Sequence, residues 1–268
     1  MIPADKAIIT ADNRGFRYGD GLFETMRLAA SRILLEAYHF ERLFAGIKQL
    51  EFDFPADLTP AGLSSQILEL CKENNCQESA RVRLAVFRGE GGLFEANKRA
   101  PNYIIQCRPL DKAYRRFNEQ GLVTAVFRDG RKSCDHFSNL KTNNYLLYAM
   151  AALHAGKNGL DDCIILNSRE RPCESAIGNL YCIRDGIVST PPLSEGCVAG
   201  VMRRRLLSLT GAIPFSEKVL TIRDLLDADE LFLSNAVYGI RWIKYFEGRE
   251  YVNLETHSLY NRLFEDLS

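Results

Sequence analysis

No surplus of charge of either sign marks this sequence: 34 lysines and arginines stand against 34 aspartates and glutamates, so the formal net charge at pH 7 is zero. A chain so balanced has no global field to draw it onto nucleic acid or an anionic membrane, which leaves a locally recognised small molecule as the expected partner. Long apolar runs are missing too. No segment reaches the roughly 20 consecutive apolar residues of a membrane-spanning helix, and the opening MIPADKAIITADNR lacks the charged-then-apolar pattern of a secretory leader. The cytoplasm is therefore the expected location. Histidine is scarce, with four residues dispersed at 39, 136, 154 and 257, a pattern that does not predict a zinc site. The cysteines at 71, 76, 107, 134, 163, 173, 182 and 197 lack paired metal-type spacing. Cys107 in YIIQCR and Cys163 in CIILN sit in strand-like runs, where a thiol packs as a small hydrophobe. Neither a metal nor a disulfide framework is expected. Internal repeats and low-complexity tracts are also lacking.

What is there is a chain of 268 residues with 46% hydrophobic content, enough for one large domain or two modest ones. YHFERLFAGIKQL repeats apolar residues at Leu43, Ile47 and Leu50, a helical stripe. LTPAGLSSQILELCKENN opens with Thr59 as N-cap and Pro60 at the first helical position, and repeats at Leu63, Ile67 and Leu70. RVRLAVFR and NYIIQCR read as strands across a glycine-rich connection. The charged stretch after them reads as an interdomain connection, which predicts an N-terminal domain over 1–110, a connection over 111–120 and a C-terminal domain over 121–268. In the second part, GLVTAVFRD predicts a strand, followed by a helix that holds Lys141. DDCIILNSRERPCESAIGNLYCIRDGIVSTPP predicts strand, turn, strand, a hairpin at Arg184, Asp185 and Gly186, and a further strand. AGVMRRRLLSLTG predicts a helix closed by Gly211, ELFLSNAVYGIRWIKYFEGREYV more sheet, and THSLYNRLFEDLS a last helix capped by Thr256. The fold class expected from these elements is α+β in two domains.

Three segments carry chemistry. Lys141 follows HFSNL and precedes TNNYLLYAMAALHAG, at the mouth of an apolar helix, and a desolvated amine there is more readily the neutral nucleophile of a Schiff base. Taken alone, an ordinary solvated lysine is the commoner outcome. Glu174 in RPCESAIGNLY opens a strand after a tight turn, where a carboxylate could face a ring nitrogen or simply water. Gly200, Val201 and Met202 open a helix, whose free N–H groups favour a phosphate.

In this order, ADNRGFRYGDGLFETMR, HFERL, SNLKTNNYL, ESAIGNLY, GVMRRRLL and LFLSNAVYGIRWI resemble the class IV aminotransferase family, the fold-type IV enzymes that use pyridoxal 5'-phosphate, over nearly the whole chain. The resemblance implies a smaller α/β N-terminal domain, a larger C-terminal domain with a barrel-like sheet, and a homodimer. It implies that Lys141 joins the cofactor covalently and moves the substrate's Cα proton, that Glu174 pairs with the pyridine nitrogen, and that Arg42, the N–H groups of Val201 and Met202, and Asn235 hold the phosphate. Tyr145, four residues after Lys141 and so on one helical face with it, would reach the phenolic oxygen or else pack in the core, and Asn179 would support the Glu174 loop.

Within the family, GVMR is similar to the GIMR of the 4-amino-4-deoxychorismate lyases, where branched-chain aminotransferases carry a threonine, and LSNAVYGIRWI is closer to the lyases' Asn-Ala segment. The expected activity is release of pyruvate and 4-aminobenzoate, a folate precursor; the alternative is transamination of a branched-chain or D-amino acid with a 2-oxo acid. Two substrate carboxylates would call on arginines among Arg14, Arg17, Arg27, Arg88 and Arg241, which the sequence does not rank.

Overall fold

A computed structural model describes residues 6, 9–53, 55, 58–95, 100–111, 116–209 and 213–267. It divides into two compact units, one running to residue 112 and taking in Lys141–Asn144, the other holding 113–140 and Tyr145 onward.

The first unit contains α1 (Arg14–Tyr18), β1 (Gly21–Ala29), β2 (Arg32–Ile33), α2 (Glu36–Gln49), α3 (Pro60–Glu73), β3 (Ser79–Arg88) and β4 (Pro101–Pro109). Its strands form an antiparallel sheet in the order β2-β1-β3-β4. The apolar stripe of α2 buries Phe40, Leu43 and Ile47, and that of α3 buries Leu63, Ile67 and Cys71. Thr59 caps α3 as the sequence predicts, its Oγ1 accepting from the Gly62 N–H at 3.1 Å with Pro60 at the first position. The other end of α3 closes through Asn75 in the left-handed region (φ 52°), with Cys76 N–H donating to Cys71 O and Asn75 N–H to Lys72 O. That turn folds Cys76 back onto Cys71, and Cys107 of β4 completes a cluster whose sulfurs lie within 4.8 Å of one another. The thiols of Cys76 and Cys107 donate to the carbonyls of Cys71 and Leu70.

The second unit contains β5 (Leu122–Lys132), α4 (Leu146–Lys157), β6 (Asp162–Asn167), β7 (Pro172–Ser175), β8 (Asn179–Arg184), β9 (Ile187–Thr190), α5 (Val201–Leu207), β10 (Phe215–Glu217), α6 (Ile222–Leu226), β11 (Glu230–Asn235), β12 (Gly239–Phe246), β13 (Arg249–Glu250) and α7 (Leu254–Leu267). Pairing runs β8-β11-β12-β5-β6-β7 and returns from β7 to β8, so six strands close into a barrel, with β9 and β10 continuing beyond β8 and β13 pairing with β12. Alternation along β5 and β6 sends Phe127, Cys163 and Ile165 toward the α4 residues Tyr148, Ala151 and Ala155. Val126, Ile164 and Leu166 go to the opposite face with Leu180, Leu231, Leu233 and Ile243. Both faces of β6 are therefore covered, and all six of its residues are buried. The predicted hairpin at 184–186 forms, with Arg184 opposite Ile187 and both Asp185 and Gly186 at positive φ, as a two-residue primed turn requires.

Four local expectations change. Lys141 is not in a helix: its carbonyl accepts from Phe23 N–H at 2.9 Å, Thr142 bridges Leu22, and Asn143 N–H donates to Gly21 O, so the backbone is spent pairing with β1 and α4 starts only at Leu146. The run after Arg171 is two strands rather than one. Ser175 N–H bonds Gly178 O, Ser175 Oγ accepts from the Ile177 and Gly178 N–H groups, and the resulting turn sets β8 antiparallel to β7. The last helix starts at Leu254, so Thr256 lies inside it rather than capping it. The cap comes from β11, where the Glu230 carboxylate accepts from the Glu255 and Thr256 N–H groups at 2.8 Å each, a partner no local pattern reveals. Finally, α5 ends at Leu207 with Ser208 as its C-cap, and Gly211 lies outside the described residues.

Candidate active site

In the second unit, β7 is a short strand between β6 and β8, and its ladder puts Glu174 opposite Ile165 on one side and Asn179 on the other. The Glu174 side chain is buried. Its Oε1 accepts from the Tyr148 hydroxyl at 2.6 Å and lies 3.4 Å from Lys132 Nζ, and its Oε2 accepts from the Val198 N–H at 2.9 Å. Lys132, the last residue of β5, also donates to the Tyr148 oxygen at 2.6 Å. Burial first, and then the charge of Glu174, push the Tyr148 phenol well above its ordinary range, so it stays a proton donor.

Asn179, the first residue of β8, donates to Val198 O at 2.9 Å, so the carboxylate and the amide grip successive polar groups of the same loop. Gly200 follows. A Cβ there would lie 1.9 Å from Asn179 Oδ1, so the close approach demands glycine. Val201 and Met202 bury their side chains, and as the first two residues of α5 their N–H groups have no acceptor within the helix. Asn235 holds two turns: its Nδ2 donates to Ile177 O at 3.0 Å, and its Oδ1 accepts from the Val237 and Tyr238 N–H groups. Tyr145 is the N-cap residue of α4, so the shared helical face expected for it and Lys141 does not exist. Its ring stacks on Tyr148 with centroids 4.3 Å apart, and its hydroxyl donates to Ala176 O at 3.4 Å. Arg241 of β12 lies over the Tyr238 ring.

The first unit holds the remaining candidates. Lys141 Nζ lies 4.5 Å from the centroid of the Phe23 ring. Arg42 is clamped by Glu24 of β1, with Nε donating to Oε1 at 2.8 Å and a terminal nitrogen to Oε2 at 2.5 Å, while His39 Nδ1 lies 2.6 Å from the same Oε2. Burial would raise the Glu24 carboxyl, but Arg42 and then His39 outweigh it and hold the group down at about 2. Arg14 and Arg88 share one carboxylate, Asp20, at 2.9 and 2.5 Å, and each also donates to a backbone carbonyl, of Gly92 and Leu50 respectively. Arg27 is buried within β1, whereas Arg17 is on the surface beside Asp12. Sequence reasoning passed over Glu24, Lys132 and Tyr148. Tyr148 had one usable signal, its place one helical turn after Tyr145.

The class IV amino-transferase family model matches residues 21–246, most of the chain and every strand from β1 through β12. The chain belongs to the class IV aminotransferase family. It is accordingly a pyridoxal phosphate enzyme acting on small molecules. Among its relatives, an aminodeoxychorismate lyase of Vibrio harveyi is 28% identical over 85% of this chain and 83% of its own. The 4-amino-4-deoxychorismate lyase of Pseudomonas aeruginosa superposes with a TM-score of 0.84 at 28% identity, covering 98% of this chain and 96% of that one. A branched-chain aminotransferase from Thermoproteus uzoniensis, solved with norvaline, superposes with a TM-score of 0.89 at 25% identity over 99% and 91%. The donor set of this class IV enzyme suits the cofactor on its own chemistry. Lys141 offers a primary amine, and Glu174 a buried carboxylate whose negative charge is stabilised by two donors, Tyr148 and Val198 N–H, and by the Lys132 ammonium 3.4 Å away. No helix among the described residues is long and apolar enough to cross a membrane.

Proposed function

We propose that this enzyme is a 4-amino-4-deoxychorismate lyase, releasing pyruvate and leaving 4-aminobenzoate. The observation that carries the reading is the start of α5, Gly200-Val201-Met202, where Met202 buries its side chain and offers only its N–H at the position that carries a hydroxyl in branched-chain aminotransferases. The sequence relationship to the lyase of Vibrio harveyi supports it.

In this reading Lys141 binds the cofactor covalently and then takes the proton from the substrate carbon that bears the amino group. Glu174 holds the ring nitrogen, and Asn179 fixes the loop that Glu174 grips. Arg42, together with the Val201 and Met202 N–H groups and Asn235, holds the phosphate, and Tyr145 meets the phenolic oxygen. When bound, pyridoxal phosphate supplies an electron sink for the carbon losing its proton. Arg14, Arg17, Arg27, Arg88 and Arg241 remain the arginines from which the substrate carboxylates would be recognised, and the domain limits 1–110 and 121–268 belong to the same reading. So does a homodimer. Leu93 and Phe94 are exposed, and α4 exposes Leu146, Met150 and Leu153 at helical spacing, an apolar stripe for which a second copy is a suitable cover.

Purified holoenzyme given aminodeoxychorismate should release 4-aminobenzoate and pyruvate in equal amounts. If neither forms, while a branched-chain or D-amino acid converts the bound cofactor to its pyridoxamine form, the enzyme is an aminotransferase instead.

A further inference from the structure

Glu174 is more fully engaged than an acceptor for a single ring nitrogen needs to be. Of the roughly four acceptor positions a carboxylate offers, the Tyr148 hydroxyl takes one on Oε1 and Val198 N–H one on Oε2, and the Lys132 ammonium pairs with Oε1 from 3.4 Å. The donors also run in one direction, since the Lys132 ammonium donates to the phenol oxygen and the phenol donates to the carboxylate. The titratable groups around it are Lys132 from β5, Tyr148 and Tyr145 from α4, Cys173 from its own strand and Cys197 from the loop before α5, while Asp162 of β6 is turned to the Ala176 N–H beyond the end of β7. Burial and then the Glu174 charge push the Tyr148 and Cys173 protons well above their ordinary range and the Cys197 thiol up to about 12. Those three therefore stay neutral near pH 7, and Lys132 is the cation that the described geometry brings to Glu174.

A carboxyl group and a pyridine nitrogen in contact share one proton between two arrangements: carboxylate with pyridinium, or carboxylic acid with neutral pyridine. Moving between them breaks one O–H bond and makes one N–H bond, with no other change. Burial of such a pair favours its neutral arrangement, and donors or cations at the carboxylate oxygens favour the charged one. Only the pyridinium makes the ring a strong electron sink. We infer that Lys132 and Tyr148 are positioning residues that keep this proton on the cofactor's ring nitrogen rather than on Glu174. The inference rests on the reading that Glu174 faces that nitrogen. Losing the Tyr148 hydrogen bond or the Lys132 ion pair to the charged group is expected to move the proton distribution about ten-fold toward the neutral pair.

The test is the ¹⁵N chemical shift of ring-labelled pyridoxal phosphate in reconstituted holoenzyme without substrate, at one fixed pH. The wild type should give a pyridinium shift. Lys132→Met and Tyr148→Phe should each move it toward neutral pyridine, and Lys132→Arg should restore it. Tyr148→Phe removes only a hydroxyl, so it decides the matter if Lys132→Met does not fold. Pyridinium shifts in both Lys132→Met and Tyr148→Phe, with neutral pyridine in Glu174→Gln, would overturn the inference and leave the role of Glu174 standing. A pyridinium shift in Glu174→Gln would overturn the Glu174 reading itself, and the inference with it.

Discussion

The phenol of Tyr148 donates to the carboxylate of Glu174 over 2.6 Å, from the first turn of α4 to a strand 26 residues away. Both groups are buried. Removing the hydroxyl in Tyr148→Phe deletes a hydrogen bond to a charge, which should lower unfolding stability by about 2 kcal/mol. Urea midpoints of apoprotein measure it, and a midpoint equal to wild type would show that Lys132 and Val198 alone satisfy the carboxylate.

Gly200 and Asn179 are too close for any side chain at 200. Gly200→Ala should cost about 1–3 kcal/mol through displacement of Asn179 from Val198 O. In an Asn179→Ala background the same substitution should cost much less. A double-mutant cycle reads that difference, and simple additivity would refute the contact as the cause.

Glu24 makes the first unit sensitive to acid. Its folded-state pKa is depressed to about 2 from 4.5, so the stability it contributes is complete above pH 4.5 and is lost as pH falls toward 2. That window is worth about 3 kcal/mol. Glu24→Gln should be destabilised at pH 7 and lose this acid dependence. Equal pH profiles for the two proteins in denaturant titrations would remove Glu24 from the account.

The apolar stripe on α4 gives the proposed homodimer a direct check. Leu146→Glu with Leu153→Glu, both exposed in the single chain, should convert a dimer into a folded monomer in light-scattering chromatography. A wild-type chain that is already monomeric would end the dimer proposal.

Borohydride reduction of the holoenzyme followed by peptide mapping should place the label on Lys141. Lys141→Ala should lose it, with activity falling on the order of a thousand-fold or more. A label on Lys132 instead would reassign the reactive amine.

How much could be read beforehand differs from one residue to the next. Thr59 with Pro60, and Asp185 with Gly186, were legible because a cap and a two-residue turn are written in adjacent positions. The end of the Glu174 strand was missed although Ser175 and Gly178 mark it, because the apolar residues that flank the turn mimic a continuous run. TNNYLLYAM looks helical throughout, so its pattern extends the predicted helix back to Lys141. The partner that keeps residues 141–143 out of a helix, β1, lies more than a hundred residues earlier.

The sequence by itself determined the two helical stripes, the hairpin at 184–186, and the run of motifs that identifies a class IV aminotransferase. Those features are set by periodicity and by neighbours a few positions apart. Only the tertiary structure decided what surrounds each charged group: that Glu174 is held by Lys132, Tyr148 and Val198, that Arg42 is clamped by Glu24, and that Glu230 caps α7. A buried charge takes its partner from whichever element the barrel or sheet packs beside it, and that proximity arises from chain closure over long sequence separations rather than from any local pattern.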